Sequence, residues 1–234
     1  MMSIRIFFLL FIPVYCLGQQ VADTTFVDKK YREDQFYIIA TYNALSNAPS
    51  SLKQNGFSTS FQFGFIRDFP LNRQRNVAIG VGFGVGLSSL NQNLLIYNQP
   101  SNNTPAFKFL ERVDGSYSRN KLNYTTVDLP IEFRWRTSTP KAYNFWRIYP
   151  GIKFSYITSS RSKYVGDLGN ITLKDIRSFN AFQYGLTLSA GYSGVNLFMY
   201  YGFQSLFESG TSTIDNILLD QITSLQFGLS FYIL

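Results

Sequence analysis

Apolar and polar residues alternate along most of the chain, in eight stretches long enough to cross a membrane as strands. The first is 35–45. The second, 57–68, sets Phe57, Phe61, Phe63 and Phe65 against Ser58, Ser60, Gln62 and Gly64. The third, 76–89, interleaves Val77, Ile79, Val81, Phe83, Val85 and Leu87 with Ala78, Gly80, Gly82, Gly84, Gly86 and Ser88. Stretches 122–136, 145–158, 179–192, 195–205 and 224–233 follow the same rule. Between them, long polar connections (46–56, 91–121, 159–177, 206–221) alternate with short ones (69–75, 137–144, Ser193–Gly194). Long loops at one end and tight turns at the other predict an all-β, eight-stranded antiparallel up-and-down barrel, with both termini at the turn end.

Side-chain volume decides which face is inside. An eight-stranded barrel has a lumen just wide enough for its own side chains. The many Phe, Tyr, Trp, Leu and Ile residues of one face cannot share it, whereas the Gly, Ser, Thr and Gln of the other can. The charges agree, since Asp128, Glu132, Arg134, Arg136, Arg147 and Lys153 all fall on the small, polar face. A basic residue facing lipid at mid-membrane costs about 2–4 kcal/mol. The apolar face therefore points to outer-membrane lipid, and the lumen is filled.

This parity yields specific expectations. A turn centred near 140–141 sets Arg134 opposite Arg147 and Asp128 opposite Lys153, with Glu132 bridging the arginines and Asp128 paired with Lys153. Pro130 and Pro150 each remove a ladder bond and predict a local bulge. The stripe Gly80, Gly82, Gly84, Gly86 is expected to be the floor on which Phe198, Tyr200 and Tyr149 lie from across the lumen.

The remaining sequence narrows the class. Residues 1–18, with Arg5 before an apolar run and small Cys16 and Gly18 near its end, read as a secretory signal cleaved after Gly18. A lipid anchor at Cys16 is the alternative, poorly served by Pro13, Val14 and Tyr15. Residues 19–34 then form a periplasmic extension and 35–234 the barrel domain. The chain has no histidine, and its one cysteine leaves with the signal, so disulfides, thiolate metal sites and imidazole catalysis are excluded. The net charge of +7 is spread without a basic cluster interleaved with aromatics, which argues against nucleic acid. Asp128 and Glu132, two inward positions apart, are the one candidate for carboxylate catalysis, and charge neutralisation inside the lumen is the simpler role. No cofactor is expected. At the turn end, 67–76 gathers Arg67, Arg73 and Arg75 against Asp68, a candidate docking surface for a periplasmic partner.

The stretches YREDQFYIIATYNAL (31–45), GFIRDFPLNRQRNVAIGVG (64–82), LPIEFRWRTSTP (129–140), FWRIYPGIKFSY (145–156) and FQYGLTLSAGY (182–192) together resemble the PorT family, also called SprT, of small outer-membrane barrels in Bacteroidota. The resemblance runs from about Tyr31 to Leu234. It implies a non-enzymatic part in type IX secretion, contact with other components of that system, and a link to gliding motility where the organism glides. A small pore or ligand-transport barrel is the alternative.

Overall fold

The computed structural model describes residues 34–99, 104–111, 113, 115–137 and 145–233. The signal segment and nearly all of the N-terminal extension lie outside the described residues.

Eight strands close on themselves. They are β1 (Gln35–Ser46), β2 (Thr59–Pro70), β3 (Val77–Asn91), β6 (Tyr117–Arg136), β7 (Trp146–Gly166), β9 (Phe182–Tyr192), β10 (Val195–Gly202) and β11 (Thr223–Ile233). Each pairs antiparallel with its neighbours in the order β1-β2-β3-β6-β7-β9-β10-β11, and β11 returns to β1 from Phe36↔Ile233 to Ser46↔Thr223. Three further strands lie at the loop end: the hairpin β4 (Leu94–Asn98) and β5 (Pro105–Phe109), and β8 (Gly169–Lys174), which extends the sheet beside β7.

The faces divide as side-chain volume demands. Phe61, Phe63, Phe83, Trp135, Trp146, Leu186 and Leu197 stand exposed on the outside, while Gln62, Ser88, Thr126, Gln183 and Ser230 are buried within. On β7 the outward apolar run extends from Trp146 to Tyr156. Ten rises of about 3.3 Å along a strand tilted about 40° give a band about 25 Å tall. That is the apolar height of an outer-membrane barrel.

Beyond that band the strands continue. The expected loops 91–121 and 159–177 are largely ordered pairing: β6 and β7 remain hydrogen-bonded out to Tyr117↔Gly166. The polar reading of these loops also needs correction. Leu90, Leu94, Ile96, Phe107, Phe109, Leu122, Ile176, Phe179, Leu206, Phe207, Leu219 and Ile222 form one buried apolar cluster over the barrel mouth. Every long connection but one supplies buried members of it, and 46–56 packs Ala48 and Leu52 against its edge. The stretches interrupting the alternation are thus a cap rather than solvated loops.

The prolines behave differently from the expectation. Neither shifts the register. β3–β6 pairing skips Gly82 and Phe83 opposite Leu129 and Pro130, and β6–β7 pairing skips Phe133 and Arg134, then resumes in phase. The β6–β7 register shifts lie elsewhere, at Tyr117/Arg119 and Thr125/Thr126. A missing N–H interrupts the ladder without requiring an inserted residue.

Candidate functional site

The barrel interior divides into two levels. Near the turn end lies a charge lattice built on one hydrogen-bonded row, Asp68↔Gly80↔Glu132, across β2, β3 and β6. Gly80 has no side chain, so a slot opens between the two carboxylates. The Arg134 side chain fills it: a Cβ on Gly80 would stand 2.6 Å from Arg134 Nε. Arg134 donates from Nε to Glu132 (3.0 Å) and from Nη1 to Asp68 (3.1 Å). Arg136 closes on the same Asp68 with two parallel bonds of 2.9 and 2.7 Å, and donates from Nε to the Arg75 carbonyl at 3.0 Å. Tyr232 donates its hydroxyl to the other oxygen of Glu132 at 3.2 Å. Arg134 also lies 4.9 Å from the Tyr149 ring centre.

The expected pairings therefore change partner. β6 and β7 are in register two residues from the expected one, with Arg136 opposite Arg147, Glu132 opposite Gly151 and Asp128 opposite Ser155. Glu132 binds Arg134 but does not bridge to Arg147. The Arg147 guanidinium lies instead among rings, 4.5 Å from Phe145 and 5.6 Å from Tyr232. The like charges at Arg136↔Arg147 are tolerated because Asp68 takes both forks of Arg136. Asp68 is 1% exposed and belongs to the lumen, which corrects its place on the docking surface. Arg67 is also strand rather than turn, pointing outward with its guanidinium 5.8 Å from the Phe69 ring. Arg73 stays exposed in the turn, and Arg75, half-buried there with φ 57°, lends its carbonyl to the lattice.

The middle level is looser. Lys153 donates to Gln62 at 2.7 Å and lies 4.4 Å from the Tyr200 ring, rather than pairing with Asp128. Asp128 is fully buried, and neither carboxylate oxygen accepts a hydrogen bond among the described residues. A cavity of about 20 Å³ lined by Thr126, Lys153, Ser155 and Gln226 adjoins this level, enough for one water. A second, lined by Tyr37, Ile66, Glu132 and Phe198, is about 10 Å³.

The glycine stripe is covered from the side rather than from across. Tyr37, Gly64, Gly84 and Asp128 share one row over β1, β2, β3 and β6. With two glycines in succession, the Tyr37 ring crosses β2 and rests its hydroxyl on Gly84, closer than any Cβ there would allow. Ile66 lies over Gly80 and Gly82, and Thr126 with Asp128 borders Gly86. Phe198, Tyr200 and Tyr149 fill the lumen in a cluster with Tyr37, Ile39, Ile66 and Tyr232, but they are not the rings on the stripe. A ring on β1 needs to cross only one strand to reach β3, a shorter path than the lumen diameter.

Chemically the arrangement is a plug: an ion lattice toward the turn end, packed rings at mid-barrel and an apolar cap at the loop end. Four residues of strand, about 13 Å, separate Asp128 from Glu132, and Glu132 is committed to Arg134 and Tyr232. No group of three or more carboxylate, Cys or His side chains is placed to hold a metal among the described residues. Tyr37, Ile66 and Tyr232 carry no charge or small-residue signal that marks them in the sequence, although each lies at inward parity.

Comparison with known proteins agrees with this architecture. A family model described as outer membrane protein beta-barrel domain matches residues 19–208, most of the chain. No curated protein matches it.

Proposed function

Because the chain belongs to the outer membrane protein beta-barrel domain family, we propose that it is a non-enzymatic outer-membrane component that supports type IX protein secretion, and gliding where the organism glides. The observation that carries the platform reading is the double closure of the lumen, by Asp68, Arg134 and Arg136 near one end and the apolar cluster around Leu94, Phe107 and Phe207 at the other. A barrel whose lumen is filled at both levels by its described residues acts by its surfaces. The secretion assignment rests on the resemblance to PorT over the barrel stretches. Long loops face outward and both termini face the periplasm, as in other barrels of this kind. Arg73 and the neighbouring turn residues then address a periplasmic or outer-membrane partner of the system.

Gene deletion followed by profiling of secreted proteins tests this. Loss of export of proteins bearing the C-terminal sorting domain is expected, and unchanged export overturns it. Charge reversal at Arg73 and Arg75 to Glu should impair export while the barrel still assembles. The filled lumen counts against the pore alternative.

A further inference from the structure

Above the apolar band, β6, β7 and β8 form a three-stranded wall whose outer face is basic. Parity fixes the direction of these side chains: Asn120, Leu122, Ser162 and Tyr164 are buried inward, so Arg119, Lys121, Arg161 and Lys163 point out. On β8, Lys174 pairs with Arg161 and Thr172 with Lys163, which puts Lys174 on the same face. Lys121 stands directly opposite Lys163, and Arg161 directly opposite Lys174. Like charges in direct cross-strand register are unfavourable. No ion pair relieves them, because none of the five lies within 4.0 Å of a carboxylate among the described residues. The intervening positions on this face are neutral: Asn123, Val165, Asn170 and Thr172. Nearby Asp167 is turned to other work, accepting from the Ser116 N–H and hydroxyl at 2.7 and 3.2 Å.

The height of the patch identifies its complement. On β7 the outward apolar run ends at Tyr156, and exposed Thr158 and Ser159 follow before Arg161. Five residues from Tyr156 to Arg161 span about 16 Å of strand, or about 12 Å of height after tilt. Long basic side chains reach several ångströms back toward the bilayer. The patch thus faces sideways at headgroup level, where a soluble partner would have to share it with lipid. We propose that Arg119, Lys121, Arg161, Lys163 and Lys174 bind the phosphate groups of a phosphorylated glycolipid in the outer leaflet. This rests on the outward orientation of the loop end given above, but not on the secretion assignment. Two opposed cation pairs about 5 Å apart present a row of donors suited to phosphates held on a rigid sugar backbone. A bound anion removes the repulsion that the sheet register otherwise imposes.

Native mass spectrometry of the full-length protein in detergent, mixed with diphosphoryl lipid A, reads the proposal directly. Wild type is expected to retain the lipid, and Arg161→Gln/Lys163→Gln to bind it more weakly by on the order of thirtyfold. An Arg67→Gln/Arg73→Gln variant, neutralised at the other end, should bind as wild type does. A gel shift on heating verifies that each variant is folded. Equal binding by the Arg161/Lys163 variant overturns the proposal, as does equal retention of lipid A stripped of both phosphates. Equal retention of phosphatidylglycerol overturns the glycolipid assignment. Leu168→Cys, at the exposed turn between β7 and β8, should react with an impermeant thiol reagent on intact cells. Failure to react overturns the orientation, whereas normal secretion by the deletion strain overturns only the secretion reading.

Discussion

The Asp68 carboxylate holds both terminal nitrogens of Arg136, at 2.9 and 2.7 Å, and still accepts from Arg134 at 3.1 Å. One acid from β2 thus pairs with two arginines from β6, reaching over a strand that contributes only a glycine between them, while Glu132 supplies the second negative charge. Removing one member of a buried ion lattice leaves an unscreened charge, costing about 3–5 kcal/mol. Asp68→Asn should lower the unfolding midpoint of the purified barrel accordingly. Adding Arg136→Met should recover part of the loss. A single Asp68→Asn barrel as stable as wild type in urea titration, followed by gel mobility, contradicts the lattice.

Gly84 lies beneath the Tyr37 hydroxyl and against the Phe63 carbonyl. Gly84→Ala should cost about 1–3 kcal/mol by overpacking, and Gly84→Leu should block folding. Gly194 is the comparison: a Cβ there meets only the Tyr232 carbonyl at 3.6 Å. Gly194→Ala should stay within about 0.5 kcal/mol of wild type. Refolding yields into detergent rank the three.

Phe207 is buried in the loop-end cap, stacked on Phe179 at 5.0 Å and edge-on to Phe107 at 5.6 Å. Phe207→Ala should loosen the cap by about 3–5 kcal/mol. The expected readout is faster proteolysis in the long connections, with the membrane-embedded strands still protected. Uniform loss of protection over the whole chain would show that cap and barrel melt as one unit.

Among the described residues, the mid-barrel cavities of about 20 and 10 Å³ are too small for a water column. Purified protein in planar bilayers should give no conductance steps. Discrete openings by wild type rule out the plugged barrel.

The alternation of residue types made the eight strands and their two faces legible, because a period of two maps directly onto inside and outside. Asp68 was legible on the same ground: it continues the parity of Gln62 and Gly64, but the turn-like DFPLN drew it into the turn. The β6–β7 register was not. Moving a turn centre by one residue shifts pairing by two and leaves every face unchanged, so alternation cannot distinguish Arg134 from Arg136 as the neighbour of Arg147. The cap was hidden for another reason. Leu94-Leu95-Ile96, Leu206-Phe207 and Ile217-Leu218-Leu219 are short apolar clusters set in polar sequence, and only the closing of the ring brings them together. The residue over the glycine stripe depended on how far a ring leans over its neighbouring strand, which sequence spacing does not encode.

The seam between β1 and β11 has a kinetic consequence. It joins positions at opposite ends of the barrel domain, Phe36 with Ile233, so the most distant contacts in the sequence must form to complete the ring. Until they do, two strands carry unpaired peptide groups, which hydrocarbon does not accommodate. Such distant pairing is intrinsically slow, and an open edge is a template for the wrong neighbour. Entry into the bilayer and sealing of the seam must therefore be a single event for this chain, and a partly inserted barrel is not a resting state it can occupy.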